Sequence, residues 1–169
     1  PAALAALPDY QYQDLVFRKA RISNYQLSVS GGTEKVRFLV SGGYLSQQGI
    51  IKKSNLDRYT VRANVDVNVT SQLKIGLTLN PSYKIQQEVL SNGHWADNGI
   101  INSALSAMPF APIYAADGTY SSQTALAAPY NYPGITNPVA NITEYNSRYS
   151  QTNLLGNTYL EYSFLKHFR

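Results

Sequence analysis

A strict alternation of apolar and polar side chains between Tyr59 and Val69 constrains the fold of this chain more than any other feature. The odd-numbered positions carry Tyr, Val or Ala, and the even-numbered positions between them carry Thr, Arg, Asn or Asp. Successive side chains of a β-strand point to opposite faces of the sheet, so the pattern predicts a strand with one apolar and one polar face. The run is close in length to the roughly 9–11 residues with which a tilted strand crosses a bilayer.

Four other segments repeat this alternation, so the sequence predicts an all-β chain of antiparallel, up-and-down strands. Short turns at Gly31–Lys35 and Thr70–Gln72 join two pairs of strands. Irregular backbone is expected at two places: a bulge or bend at Gly42-Gly43, and a broken ladder or a bend at Pro81. The predicted strands are 24–30, 36–45, 58–69, 73–87 and 151–165.

The segment 88–150 differs from the rest because it holds most of the prolines and no clean alternation. Its many apolar and aromatic residues predict an ordered, functional loop, with one short helix over Gly99–Met108. Connections between strands therefore run short, long, short and very long. This asymmetry is typical of outer-membrane barrels, which predicts periplasmic short turns and extracellular segments at 1–23, 46–57 and 88–150.

Composition restricts the function further. Charged residues make up only 14% of the 169 residues, against about 25% in soluble domains, and no apolar run approaches the roughly 18 residues of a membrane helix. A membrane protein of this kind would therefore be a barrel. The net charge of +4 does not indicate nucleic-acid binding, since the basic residues form neither a basic helix nor a stripe.

Catalytic and metal sites are not predicted. The chain has no Cys, and its two histidines, His94 and His167, are far apart and lack carboxylate partners at ligand spacing. No nucleophile elbow or catalytic carboxylate pair is present in the sequence, so we expect a non-enzyme without a cofactor. The chain begins without Met and ends just after a predicted strand, and we expect it to be a piece of a longer protein.

Seven segments of the chain match a known pattern: 13–18, 24–35, 40–50, 57–66, 112–120, 137–140 and 154–161. Taken in this order, they resemble the SusC/RagA family of TonB-linked outer-membrane transporters, and together they cover nearly the whole chain. One departure is Tyr12, at a position before Gln13-Asp14 where the family pattern has Trp, and the role of this aromatic is left open.

The resemblance implies a plugged barrel of about 22 strands. It also implies a SusD-like surface lipoprotein as a lid, energy from the TonB complex through a TonB-box, and oligosaccharide or peptide as cargo. Five strands are too few to close such a barrel, and the plug and the TonB-box are expected outside this stretch. Alone, the stretch is not expected to transport anything.

In this interpretation the polar faces line the lumen, where we expect most single residues to wet the wall or bind the plug rather than touch solute. The apolar faces contact lipid, with Tyr25, Tyr44, Tyr59 and Tyr83 as candidates for interfacial girdles. The candidate lumen-facing residues are Arg62, Asn64, Asp66, Asn68, Lys74, Thr78, Asn80 and Lys84.

Aromatic residues of the long loop are candidates for stacking on sugar rings or gripping a peptide, because they offer a large contact area at small entropic cost. The alternative, which we favour for each one singly, is packing against the loop itself or the lid. They are Trp95, Tyr114, Tyr120, Tyr130 and Tyr132.

Two rival functions remain open: a soluble, secreted β-sandwich that binds carbohydrate, and an outer-membrane barrel with a structural or adhesive role. The apolar face separates the sandwich from the barrel. A sandwich buries Val61, Val65, Ile75 and Leu77 in its core, whereas a barrel exposes them to lipid.

Overall fold

Five β-strands and four short α-helices make up the computed structural model, which describes residues 7–93, 99–131 and 134–164. The strands form one antiparallel sheet in sequence order and are β1 (Ile22–Gly32), β2 (Val36–Gln48), β3 (Asn55–Asn68), β4 (Leu73–Glu88) and β5 (Ser147–Tyr162). The helices are α1 (Tyr12–Val16), α2 (Ile100–Ser106), α3 (Gln123–Ala127) and α4 (Pro138–Glu144), with a 3-10 turn at Ala128–Tyr130. None of the helices in the described ranges is both long enough and apolar enough to cross a membrane.

The chain divides into two compact units. The first, here called the loop unit, comprises Pro1–Arg21, Gln48–Asn55 and Gln87–Arg148. The second, the sheet unit, comprises Ile22–Gln47, Leu56–Gln86 and Tyr149–Arg169.

The predicted five-stranded, all-β architecture is confirmed in the sheet, although the strand ends differ. β1 begins at Ile22 rather than Asn24, and β5 runs from Ser147 to Tyr162 rather than from Gln151 to Leu165. Alternation identifies the centre of a strand well, but polar residues near a strand end have no apolar partners to mark them.

The bulge expected at Gly42-Gly43 is wrong. β1 and β2 pair one-to-one through this point, with Leu27 opposite Gly42 and Gln26 opposite Gly43. A Cβ at Gly43 would lie 2.7 Å from the hydroxyl oxygen of Thr60 on β3. Glycine is needed there for a close approach between neighbouring strands, and the one-to-one pairing of β1 and β2 is kept.

At Pro81 one of the two expected alternatives, a broken ladder, is wrong, since β4 continues without interruption from Leu73 to Glu88. Proline removes only one N–H donor from the ladder.

The loop unit has a small apolar core of its own. Buried side chains from α1, α2, α4 and the β2–β3 connection meet there, namely Val16, Ile51, Ile100, Ala104 and Ile142. α2 confirms the helix predicted over Gly99–Met108. Two of the other helices, α1 and α3, have only five residues, too few to give a helical period in the sequence.

Backbone and side-chain bonds tie the N-terminal segment to the β2–β3 connection. Phe17 forms a bridge with Ile51, and the Arg18 guanidinium donates to the carbonyls of Gly49 (3.0 Å) and Ser54 (2.8 Å). Arg18 therefore links the N-terminal segment to two points of the β2–β3 connection and stabilises that connection.

Candidate functional site

The polar face of the sheet carries a cluster that joins three neighbouring strands. Lys74 on β4 lies 3.8 Å from a carboxylate oxygen of Asp66 on β3, and the Tyr159 hydroxyl on β5 donates to the other oxygen at 2.6 Å. The Lys74 ammonium also lies 5.4 Å from the centre of the Tyr159 ring, a cation–π distance.

Glycine is required beside this cluster. The Tyr159 ring covers Gly76, where a Cβ would lie 1.9 Å from a ring carbon. The ring thus fills the place of the side chain that the strand lacks, and its hydroxyl is anchored by the hydrogen bond to Asp66.

A second pair of the same kind follows along the two strands. The Lys84 ammonium lies 5.2 Å from the centre of the Tyr149 ring, and the Tyr149 hydroxyl donates to the side-chain oxygen of Gln86 at 2.7 Å. Neither tyrosine was among the site residues predicted from the sequence. The sequence does contain a signal, because the two lysines are ten positions apart on β4 and the two tyrosines are ten positions apart on the neighbouring strand β5.

The middle of the polar face contains a recess of about 380 Å³, here called the arginine recess. Arg58 and Arg62 of β3 line it together with Gly43, and Arg62 Nε donates to Asn80 Oδ1 at 3.1 Å. Arg58 was not among the predicted site residues, although its even number places it on the polar face.

The other predicted polar-face residues are not gathered into this recess. Asn68 donates to the Glu34 carbonyl at 3.1 Å beside the β1–β2 turn, and Thr78 is half-buried on β4. The side-chain oxygen of Asn64 is buried and has no hydrogen-bond partner among the described residues.

The apolar face carries a row of four tyrosines, one from each of the first four strands. Adjacent rings stack at centroid distances of 6.4 Å (Tyr25–Tyr44), 5.0 Å (Tyr44–Tyr59) and 6.5 Å (Tyr59–Tyr83). The Tyr44 hydroxyl donates to Asp57 Oδ1 at 2.9 Å. The four residues singled out as girdle candidates therefore lie side by side at one level of the sheet.

In the loop unit, Tyr114 and Tyr120 stack at 5.2 Å between ring centroids at the base of a tight hairpin. Asp117 closes the turn by accepting from the backbone N–H and the hydroxyl of Thr119. These two hydrogen bonds lower the pKa of the Asp117 carboxyl below its ordinary value.

Asn137 fixes this hairpin to the rest of the unit. Its side-chain oxygen accepts from Val139 and Ala140 and caps α4, while its amide nitrogen donates to the carbonyls of Ile113 and Ser121. The side chain is buried, so one residue links the helix end to both arms of the hairpin.

Tyr12, the residue that departs from the family pattern, has a structural role. It is buried, and its hydroxyl donates to the Ala111 carbonyl at 2.8 Å. Burial raises the pKa of this hydroxyl. Nearby in the same unit, Gln123 is fully buried and neither polar atom of its side chain has a hydrogen-bond partner in the described part.

The other three predicted loop aromatics stay untested. Trp95 and Tyr132 lie outside the described residues, and Tyr130 ends the 3-10 turn without a described side-chain position. Within the described ranges no group of three His, Cys, Asp or Glu side chains is placed to hold a metal ion.

Comparison with known proteins gives consistent matches over almost the whole chain. It is 31% identical to TonB-dependent receptor P26 of Formosa agariphila over 92% of this chain and 14% of that protein. It is 28% identical to TonB-dependent receptor SusC of Bacteroides thetaiotaomicron over 90% of this chain and 16% of that protein. No protein-family model matches.

Solved structures agree on the fold. The RagAB peptide transporter matches 94% of this chain and 18% of its own with a TM-score of 0.64 and 21% identity. The RagAB peptide importer in its open-open state matches 95% and 18% with the same TM-score and 20% identity.

This is a SusC/RagA-like TonB-dependent receptor chain. It spans 14–16% of the length of the three receptors that it matches over nine-tenths of its own length or more. Receptors such as SusC and RagA are outer-membrane proteins, and the five-stranded antiparallel sheet is consistent with part of such a barrel.

Proposed function

We propose that this SusC/RagA-like chain supplies a section of barrel wall and an extracellular loop region to a TonB-dependent importer of nutrients. The observation that carries the proposal is the uncovered apolar face of the sheet. Val61, Ile75 and Leu77 are 48%, 37% and 42% exposed, and Val65 is half-buried. A soluble sandwich would bury these side chains against a second sheet, so the arrangement favours a wall that faces lipid.

The polar face then lines the lumen, and the tyrosine row lies at an interface between lipid and water. Tyrosine suits that level because its ring is apolar and its hydroxyl needs a polar partner, as Tyr44 has in Asp57. The short turns at 31–35 and 70–72 face the periplasm in this orientation, and the loop unit lies outside the cell.

Cargo is an oligosaccharide or a peptide in this proposal, as the likeness to SusC and to structures named as peptide importers suggests. A SusD-like lipoprotein closes the barrel from outside, and the TonB complex supplies energy through parts of the protein beyond this stretch. Tyr114 and Tyr120 are candidates for contact with cargo or lid. The proposed role is transport and includes no chemical reaction.

Cysteine labelling of intact cells tests the orientation. The chain has no native Cys, so single cysteines can be introduced into a full-length receptor otherwise free of Cys. The matched pair of variants is Ala116→Cys in the hairpin and Ser71→Cys in a short turn, both at exposed positions. A membrane-impermeant maleimide should label only Ala116→Cys in intact cells and both after lysis. Equal labelling of the two in intact cells would contradict the proposed orientation.

Deletion of the gene for the full-length receptor tests transport. Growth should fail on one class of oligosaccharide or peptide supplied as sole nutrient, and the intact gene should restore it. Unchanged growth on both classes, with loss of surface attachment instead, would favour the adhesive role.

A further inference from the structure

The arginine recess holds two positive charges that no carboxylate of the described chain neutralises. Arg58 and Arg62 both line it, and its lining contains no Asp or Glu. Neither guanidinium lies within ion-pair distance of a carboxylate in the described ranges, where Lys74 and Asp66 form the ion pair.

Among the described residues, charged side chains of the polar face are therefore paired with an opposite charge in one part of the face and not in another. Asp66 and Lys74 lie beside the β3–β4 turn and compensate each other. Arg58 lies in the half of β3 that follows the longer β2–β3 connection, and Arg62 lies just past the middle of the strand. In the proposed orientation this half is nearer the extracellular mouth, where cargo enters.

The remaining lining supplies neutral hydrogen-bonding groups. The side chains of Asn24, Gln26 and Ser82 border the recess, and Asn80 holds Arg62 by its Nε atom. That bond leaves the two terminal nitrogens of Arg62 for a ligand. Planar guanidinium groups bind carboxylates through paired, charge-assisted hydrogen bonds, and neutral amides can bind the group attached to the carboxylate.

We propose that the arginine recess is a subsite for a carboxylate carried by the cargo, such as a peptide C-terminus or an acidic sugar. The inference rests on the proposed function, because it takes the polar face as the path of the cargo. It narrows the cargo class to molecules that carry at least one carboxylate. Arg62, oriented by Asn80, and Arg58 are the residues that select it.

Binding of 4-iodobenzoate to the purified full-length receptor tests this site, since the probe has one carboxylate and an iodine atom that crystallography can locate. We expect the carboxylate between Arg58 and Arg62 in the wild-type protein. The double variant Arg58→Gln/Arg62→Gln should lose at least about tenfold in affinity, the loss expected for charge-assisted hydrogen bonds. Arg37→Gln is the matched control, because Arg37 lies on β2 outside the lining of the recess.

Three results would overturn the proposal. The first is iodine density elsewhere only, and the second is equal affinity in the double variant and in the wild type. The third is a structure of the unliganded full-length receptor in which a carboxylate of its own plug already pairs with both arginines. A band on gels that resists unfolding by detergent and shifts only after heating verifies that the barrel of each variant is folded.

The gene-deletion experiment keeps the two proposals separable. If the probe binds at the recess but the deletion strain shows no growth defect, the proposed import function is contradicted. The recess then remains an anion-binding site without a role in import. A growth defect without probe binding would contradict the carboxylate subsite alone.

Discussion

Replacing Leu27 with Arg measures what surrounds the apolar face of the sheet. Leu27 is the central residue of β1, is 74% exposed and lies opposite Gly42, so no side chain on β2 faces it. If lipid surrounds this position, which lies about 7 Å along β1 from the tyrosine row, Arg should destabilise the barrel by about 1–3 kcal/mol, between the values expected near the interface and at the bilayer midplane. Each 1.4 kcal/mol is a factor of ten, so the folding equilibrium should fall by roughly 5- to 140-fold. If water surrounds it, a substitution at so exposed a site should change stability by only about 0.5 kcal/mol.

Ser28→Arg is the matched control, because Ser28 is the next residue, is also exposed, and belongs to the polar face. Both variants are made in the full-length receptor, and urea titrations of the folded protein in phospholipid vesicles are followed by the gel shift of the folded barrel. The expected result is a large loss for Leu27→Arg and a small one for Ser28→Arg. Equal stabilities within about 0.5 kcal/mol would refute the lipid-facing assignment.

Three further predictions concern single contacts. Asn137→Asp keeps the cap of α4 but removes both amide donations, so the loop unit should lose about 2 kcal/mol, seen as faster hydrogen exchange in the hairpin; unchanged exchange would contradict this role. Gly76→Ala should displace the Tyr159 ring and lower the yield of folded receptor, and the second change Tyr159→Ala should restore part of it; no rescue would show that the clash is not the cause. Because the Asp117 pKa is lowered in the folded protein, its stabilisation of the hairpin is present above the ordinary value of 3.8 and is lost as pH falls below it. Near-ultraviolet circular dichroism of wild-type and Asp117→Asn receptors from pH 6 to pH 3 measures this loss, which the variant should not show.

The sheet could be predicted from the sequence because period-two alternation assigns each residue to a face without knowledge of its neighbours. Tyr25, Tyr44, Tyr59 and Tyr83 all had the parity of the apolar residues around them. Their stacking required only that the strands pair in sequence order, which the short turns favour.

The candidate site was less predictable because it depends on contacts between strands far apart in sequence. Nothing near Gly76 indicates that a ring from position 159 covers it, and nothing near Gly43 indicates the hydroxyl of Thr60. Local rules therefore assigned the Gly42-Gly43 pair to a bulge, whereas its cause is a long-range approach. The loop unit is harder still, since Asn137 fixes a hairpin about twenty residues earlier in the chain.

The tyrosine row also influences the register in which the strands pair during assembly of the sheet. Alternation penalises a slip of one residue, which would turn every polar side chain toward lipid, but a slip of two residues keeps each side chain on its proper face. Such a slip would place Tyr25 opposite Gly42 or Ser46 instead of Tyr44 and would end the ring contact. Stacking of the four rings on four consecutive strands therefore favours the native register over registers shifted by an even number of residues. The alternation of polar and apolar side chains alone does not distinguish these registers.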